Sequence, residues 1–480
     1  MARSMVKHVA CLVLLGAALA AGAQSAQAPS GPASAAIAVP QIKFTQFTLP
    51  NGMRVVLSED HTLPVVTESM LFDVGARDEH PGRSGFAHLF EHLMFEGSKN
   101  APKGVFDHLV EGYGGNDNAS THEDYTFYYE NVPSNVLETV MWLDADRLDS
   151  LNVTAANMKN QISVVEEEKR LRVDNAPYGP LLYTDLGAQA FANLQNAHSV
   201  IGSFKDLDAA TLQDVQEFFN EYYAPRNCIL TIVGDLDTAK TEALVRKYFA
   251  WIPNRSAITP VNTAEPTQTA EKTATVHDPQ AKLPALAIAW KGPARGSDDF
   301  YALAILGQIL FSGESSRMYQ GLVKEHPVAL EVDGGLGFPS ADSTDYRAPG
   351  LFTALAIYKP GATAQQVEAL LYQQIQQIEA SGVPTAELER LKTKFSSGWI
   401  QAEQTTLDRA QLLALATLFD GNPAAANSQL SKFLAVSSSD MERVARTYLN
   451  HARATVVEDV PGPAPAAPGK PGAANAGGAR

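Results

Sequence analysis

Cysteine is nearly missing. The 480 residues hold two, Cys11 and Cys228, and Cys11 lies inside an N-terminal apolar run. With one cysteine beyond that run, no intramolecular disulfide can staple the fold, so stability must come from a packed core. Long apolar runs are equally scarce. The one present, residues 9 to 21, follows Arg3 and Lys7 and leads into Ala21-Gly22-Ala23 and Ala26-Gln27-Ala28. A basic head, a short apolar stretch and small residues have the layout of a secretory leader, and the run is short for a membrane span. Cys11 stands at the start of the run and not at its end, which weighs against a lipoprotein anchor. Positive charge is in deficit: 37 Lys and Arg against 53 Asp and Glu give a net charge of −16. That balance argues against nucleic acid or an anionic membrane as the main partner. The expectation is an exported protein, periplasmic or extracellular, with no stable membrane span.

What is there divides the chain. Residues 1–23 read as the leader, and 24–41, rich in Ala, Ser and Pro, as a disordered linker. Residues 459–480 read as a low-complexity tail. Between them strands and helices alternate. FTLPNGMRVVLSED is a hairpin turning at Asn51-Gly52, VVTESMLFDVG a strand, and CILTIVGD a later strand. Helices are expected near 84–96, 103–112, 134–148, 154–172 and 208–222. Residues 253–275 lose both periodicities and gain Pro, Thr and Asn, which marks a linker. The order then starts again with the strand LPALAIAWKGP, the helix DDFYALAILGQILFSGESS and the strand LFTALAIYKP. Sliding the second half by 216 positions lays Phe95-Glu96-Gly97 over Phe311-Ser312-Gly313. Two similar α+β halves, 42–252 and 276–458, are the expectation.

The stretch GFAHLFEHLMFEGS, residues 85–98, sets His88, Glu91 and His92 among apolar neighbours, and such groups are costly to bury unpartnered. At about 100° per residue the two histidines lie about 40° apart, with Glu91 about 60° to the other side of His88. Ser84 is the expected N-cap and Gly97 the expected residue past the C-terminus. Two histidines one turn apart can bind one Zn²⁺, and Glu91 beside them can deprotonate a water. In the duplicate the three positions hold Ala304, Gly307 and Gln308, so only the first half keeps the ionisable triplet.

A catalytic zinc needs a third protein ligand and an open position. NMKNQISVVEEEKRLRVDN, residues 157–175, reads as a helix whose apolar side carries Met158, Ile162, Val164, Val165 and Leu171. On that wheel Glu168 falls near the centre of the apolar face, Glu167 opposite and Glu166 at the margin. A glutamate aimed into a core is explained by a metal; the other two read as surface groups. Cys228 reads as a packed thiol, and His61, His122 and His198 as surface groups.

These residues resemble the M16 metallopeptidases, a family that includes pitrilysin, insulin-degrading enzyme and the mitochondrial processing peptidase. The likeness rests on the inverted motif His88-x-x-Glu91-His92, a glutamate 76 residues after the second histidine (Glu168), FTLPNGMRVVL, GGNDNASTHEDYTFYY, DNAPYG and YYAPRNCILTIVGD. It spans about residues 44–455, and the chain length matches the two-domain branch. The resemblance implies two duplicated α/β-roll halves, each an antiparallel sheet packed by helices, forming a half-clamshell. It implies one Zn²⁺ per chain held by His88, His92 and Glu168, with Glu91 as general base and peptides as substrates. The family's supporting glutamate seven residues before the ligand glutamate is Gln161 here, an amide without charge. Asn118 and Ala119 fall on the edge strand along which the family lays an extended peptide.

One departure predicts a partner. Active members bring an Arg and a Tyr, seven positions apart, to hold the substrate carbonyl and the oxyanion. The corresponding stretch here, LVKEHPVAL, has Val323 and Leu330 at those positions, and neither side chain can donate a hydrogen bond. The resemblance therefore implies the zinc-bearing catalytic subunit of a heterodimer, completed by a homologous chain that carries the Arg-Tyr pair. The alternative within the family is a non-catalytic peptide-binding or scaffold protein.

Overall fold

A computed structural model describes residues 41–339, 345–347 and 349–462. The expected leader, most of the first linker and the end of the tail lie outside these residues. No helix among the described residues is long and apolar enough to cross a membrane.

Eleven strands form two sheets among the described residues. The first sheet contains β1 (Thr45–Thr48), β2 (Arg54–Glu59), β3 (Val65–Phe72), β4 (Asn116–Thr121), β5 (Thr126–Pro133) and β6 (Cys228–Gly234). Its order is β1-β2-β6-β3-β5-β4. The second contains β7 (Lys272–Asp278), β8 (Ala285–Lys291), β9 (Ala329–Leu336), β10 (Leu351–Tyr358) and β11 (Ala454–Pro461), in the order β7-β11-β8-β10-β9. Apart from β1 the two orders are the same, as a duplication requires. The sheets are not purely antiparallel: β2 runs parallel to β6, and β7 parallel to β11. In each half the last strand crosses back and inserts between earlier ones, and that long connection allows a parallel neighbour.

The hairpin around Asn51-Gly52 forms as its turn residues dictate, with Gly52 at φ +92° and Thr48 opposite Arg54. Two boundaries move. β7 begins at Lys272, inside the stretch read as linker, and β11 runs to Pro461, past the expected end of the second half at 458. Both strands alternate or carry β-branched residues, but Pro, Thr and Asn nearby mask the pattern. The rest of the linker is extended and pinned. Glu265 accepts from the amides of Ala192 and Asn193 and from Asn196 Nδ2, and meets Lys291 Nζ at 2.8 Å.

Strand alternation sends side chains to both faces, and both faces of each sheet are apolar. On one face of the first sheet, Val55, Leu57, Met70, Phe72, Tyr128 and Leu230 pack under helices of the first half. On the other, Val56, Leu71, Phe127, Ile229 and Val233 meet Ala410, Leu413, Ala414, Leu415 and Ala416. Those partners belong to the helix Thr406–Phe419, from the second half. The reciprocal arrangement holds in the second sheet. Leu286, Ile288 and Trp290 face their own helices, while Ala285, Ala287, Ala289, Leu355 and Val457 are covered by Leu181, Leu186 and Ala190 of the first half. Unbroken apolar runs such as ALAIAW are the sequence mark of strands buried on both faces.

Truncating Leu413, which is fully buried against the first sheet, removes a core contact made across the two halves. We expect Leu413→Ala to cost about 2–5 kcal/mol in denaturant unfolding. Because the residue covers the other half's sheet, the loss should register in probes placed in either half.

Candidate metal centre

The helix carrying the His-x-x-Glu-His triplet spans Phe86–Leu93. Its apolar face, with Phe86, Leu89, Phe90 and Leu93 buried, packs on the first core, and Phe90 stacks on Phe218 with centroids 5.0 Å apart. The helix limits differ from expectation. Gly85, at φ +91°, occupies the N-cap position in place of Ser84, whose hydroxyl instead donates to Asp206 Oδ2 at 2.5 Å. Gly85 and Gly202 are back to back: a Cβ on Gly202 would come within 2.4 Å of Gly85 Cα. No bulkier residue fits at this crossing. The helix ends with Met94 as its C-cap, so Gly97, at φ +95°, turns the chain further on.

The glutamate helix spans Ala155–Lys169, with Thr154 as its N-cap. Only Val165 of its expected apolar side is fully buried. Met158 and Ile162 are partly buried against the core, while Val164 is 43% and Leu171 63% exposed. The helix widens into a looser turn at Arg170–Asp174, which rotates Leu171 away from the wheel position that a regular helix would give it. Glu167 is exposed, Glu166 half-buried at the edge, and both pair with Arg170.

Glu168 points inward. Its Oε2 lies 3.6 Å from His88 Nε2 and 3.5 Å from His92 Nε2, and the rings are 4.9 Å apart at 86°. All three donors lie within 4.8 Å of one another. A tetrahedral ion with ligands at 2.0–2.1 Å separates them by about 3.3–3.4 Å, so this set of two imidazoles and a carboxylate fits one zinc ion in both geometry and chemistry. Glu168 Oε1 is held by Arg172 Nη1 at 2.8 Å. Glu271, Glu368 and His451 also converge, but His451 and Glu271 are exposed and form a surface ion cluster.

Among the protein groups alone, burial first and then the neighbouring His92 push His88 down to about 4, leaving its imidazole neutral at neutral pH. Burial also depresses His92, but its hydrogen bond to Glu168 and the charge of Glu91 outweigh this and the net shift is upward. Glu168 is lowered, chiefly by His92. Burial raises Glu91 against the pull of Thr121, whose Oγ1 donates to Glu91 Oε2 at 2.7 Å. A neutral imidazole and a carboxyl shifted upward suit a metal ligand and a proton acceptor respectively.

Gln161 is buried and bridges two groups. It helps to raise the nearby His92, and its Nε2 donates to Glu96 Oε1 at 2.5 Å. Glu96 also meets Lys103 Nζ at 2.6 Å. The negative charge beside this helix is thus carried by Glu96, and an amide at 161 supplies the donor that a carboxylate lacks.

The centre opens into a cavity of about 650 Å³ lined by His88, Glu91 and Glu168 together with Phe338, Tyr346 and Leu351 of the second half. Ala119 lines it from the edge strand β4, while the neighbouring Asn118 is exposed and its Oδ1 accepts from the Ala119 amide. Val323 packs against the second core and Leu330 is 53% exposed on β9; neither lines the cavity. Cys228 is buried, its thiol pushed far up by burial. Of the three histidines read as surface groups, only His61 is exposed. His122 and His198 both line the cavity half-buried, His122 stacked on Tyr125 at 4.2 Å and His198 against Glu79 with Nδ1 3.6 Å from Oε2. Sequence reasoning missed Glu79, because acidic helix-start signals are read at the N-cap and in the first turn and Glu79 lies six residues before Gly85.

Comparison with known proteins follows this geometry. Residues 54–203 match the family model described as insulinase (peptidase family M16), and residues 209–395 the model described as peptidase M16 inactive domain. The zinc protease PqqE of Helicobacter pylori is 30% identical over 418 residues, covering 86% of this chain and 92% of that protein. A probable beta subunit of the mitochondrial-processing peptidase of Arabidopsis thaliana is 22% identical over 419 residues, 86% of this chain and 77% of that one. The crystal structure of a protease from Helicobacter pylori superposes with a TM-score of 0.82 at 29% identity, covering 88% of this chain and all of that one.

The Gln161 bridge can be tested directly. Gln161→Glu places two buried carboxylates against each other, and we expect it to lower stability by about 1–3 kcal/mol in chemical denaturation. An unchanged midpoint would contradict the bridging role.

Proposed function

The chain belongs to the M16 peptidase family, and from that premise we propose that it is a zinc-dependent endopeptidase subunit hydrolysing extended or unfolded peptides. The observation that carries the reading is the approach of His88, His92 and Glu168, from two helices, to distances that one zinc ion fits. In this reading those three residues hold one zinc per chain. When bound, such an ion acts as a Lewis acid toward water and the peptide carbonyl. The chain's own groups do the rest. Glu91 accepts a proton from the attacking water at its carboxylate and then passes it to the leaving amine. Thr121, at the end of β4, aims that carboxylate by its hydrogen bond. Arg172 holds the second oxygen of Glu168, which leaves Oε2 turned toward the two imidazoles. A peptide extended along β4, past Asn118 and Ala119, would continue the sheet by strand addition and bring its backbone to the cavity mouth.

At the positions where the resemblance places an Arg-Tyr pair the second half has Val323 and Leu330, and among the described residues neither lines the cavity. We propose that a homologous subunit supplies the pair and that the chain works as a heterodimer. The N-terminal leader pattern supports export to a periplasm or the exterior.

Two outcomes test this reading. Glu91→Gln should retain zinc, by metal analysis of the purified chain, while peptide cleavage falls by at least about 100-fold; undiminished cleavage rules out Glu91 as the base. For the partner, the isolated chain should cleave peptides poorly and regain turnover on mixing with a co-expressed homologue that bears the pair. Full activity of the isolated chain would defeat the heterodimer.

A further inference from the structure

The two histidines of the triplet are held differently. The His92 ring meets Glu168 and has Gln161 nearby. His88 Nδ1 is buried and has no hydrogen-bond partner among the described residues. Metal-binding histidines usually fix their orientation through the second ring nitrogen. For His88 the orientation must therefore come from its backbone.

That backbone is gripped at one point. Glu79 follows the short turn Ala76–Asp78, and its side chain is fully buried. Its Oε2 accepts from the Gly85 amide and its Oε1 from the Ala87 amide, both at 2.8 Å. Gly85 has no side chain with which to cap the helix, so a carboxylate from six residues away takes the orphan N–H groups of the first turn, where a helix favours negative charge. Two bonds from one rigid carboxylate, on either side of Phe86, fix both the height and the rotation of that turn. Ala87 is the residue before His88.

Glu79 is itself held. Gln195 Nε2 donates to the carbonyls of Arg77 and Glu79, and His198 leans on Oε2. The neighbouring Asn196 is tied to the linker through Glu265, and Glu265 to Lys291 of the second sheet. The grip on the motif helix thus reaches into the linker.

We propose that Glu79 is the positioning residue of this site: by clamping the amides of Gly85 and Ala87 it sets the direction of His88 Nε2 toward Glu168. The proposal rests on the metal-site reading above. A metal site tolerates misplacement of only about 0.5 Å or 10–20°, and the carboxylate bridge is the element that holds the first turn within such limits.

The test uses the full chain. Zinc affinity is measured by chelator competition for the wild type, Glu79→Gln, and Asp206→Asn, which removes the charge behind the Ser84 contact without touching the helix amides. Melting temperatures are recorded alongside, and amide exchange over residues 86–89 is followed without added metal. Glu79→Gln sets an NH₂ group against one of the two amides. It should weaken zinc binding about 10–100-fold and speed exchange of the first turn, with both effects exceeding those of Asp206→Asn. Glu79→Asp, too short to bridge both amides, should fall between wild type and Glu79→Gln. Unchanged affinity with unchanged exchange overturns the proposal, as does an equal loss in Asp206→Asn. If the wild type binds no zinc, the metal reading fails by itself, and the exchange measurement alone decides whether Glu79 orders the turn that carries His88.

Discussion

A strand buried on both faces needs two covers, and a helix layer from its own half supplies only one. Every other consequence of this fold starts from that constraint. Val56, Leu71, Phe127 and Val233 would face water if the first half stood alone, as would Ala285, Ala287, Leu355 and Val457 in the second. Each half closes the other's sheet with a segment of its own, and apolar burial on that scale binds the halves far more firmly than a polar contact between separate domains. The exchange also brings Phe338, Tyr346 and Leu351 of the second half opposite His88 and Glu91, so the cavity at the candidate site is walled by both halves.

The second constraint is charge inside an apolar helix. Its ionisable groups are tolerated because each has an assigned counterpart: Glu168 for both imidazoles, Thr121 for Glu91, Gln161 for His92. The same rule governs the core beneath. Arg147, buried between Phe106 and Tyr128, contacts Glu130 Oε1 at 2.6 Å and Asp144 Oδ1 at 2.8 Å. Removing one member of such a group leaves the others charged and buried, which is far costlier than replacing the whole set with apolar residues. Buried polarity in this half is therefore held in groups, and the candidate-site residues form one of them.

Much of this was legible because the signals were local. The Asn-Gly turn, the period-two strands and the three polar residues on one helical arc need only neighbouring positions to be read. Glu168 was legible because it falls where the helix faces inward, and its 76-residue spacing agrees. What failed depended on contacts distant in sequence. Ser84 has the chemistry of an N-cap, yet Asp206 claims its hydroxyl and Glu79 takes the amides it would have served. Leu171 looked inward only on a regular helix, and the chain widens before it. The linker lost its periodicity because side chains at Asn193 and Asn196, rather than a hydrophobic stripe, hold it in place. His198 lies in a short irregular segment that gives no sign of burial until the first helix is placed against it.

The duplicate shows why the ionisable triplet of the first half has no copy in the second. The helix Asp298–Phe311 answers to the motif helix, but ten of its fourteen residues are buried and it lies against the edge strand β9. At Gly307, the counterpart of Glu91, a Cβ would already sit 3.1 Å from Gly335 Cα and 3.4 Å from the Phe352 ring. A side chain there would press on the strand and the ring unless both gave way. In the first half the corresponding side chain, Glu91, reaches Thr121 on β4, and the space between helix and strand opens to the cavity. The first copy's helix thus carries ionisable groups into the cavity, while the second copy's helix is mostly core. That division leaves the second half to act as wall and cover for the first.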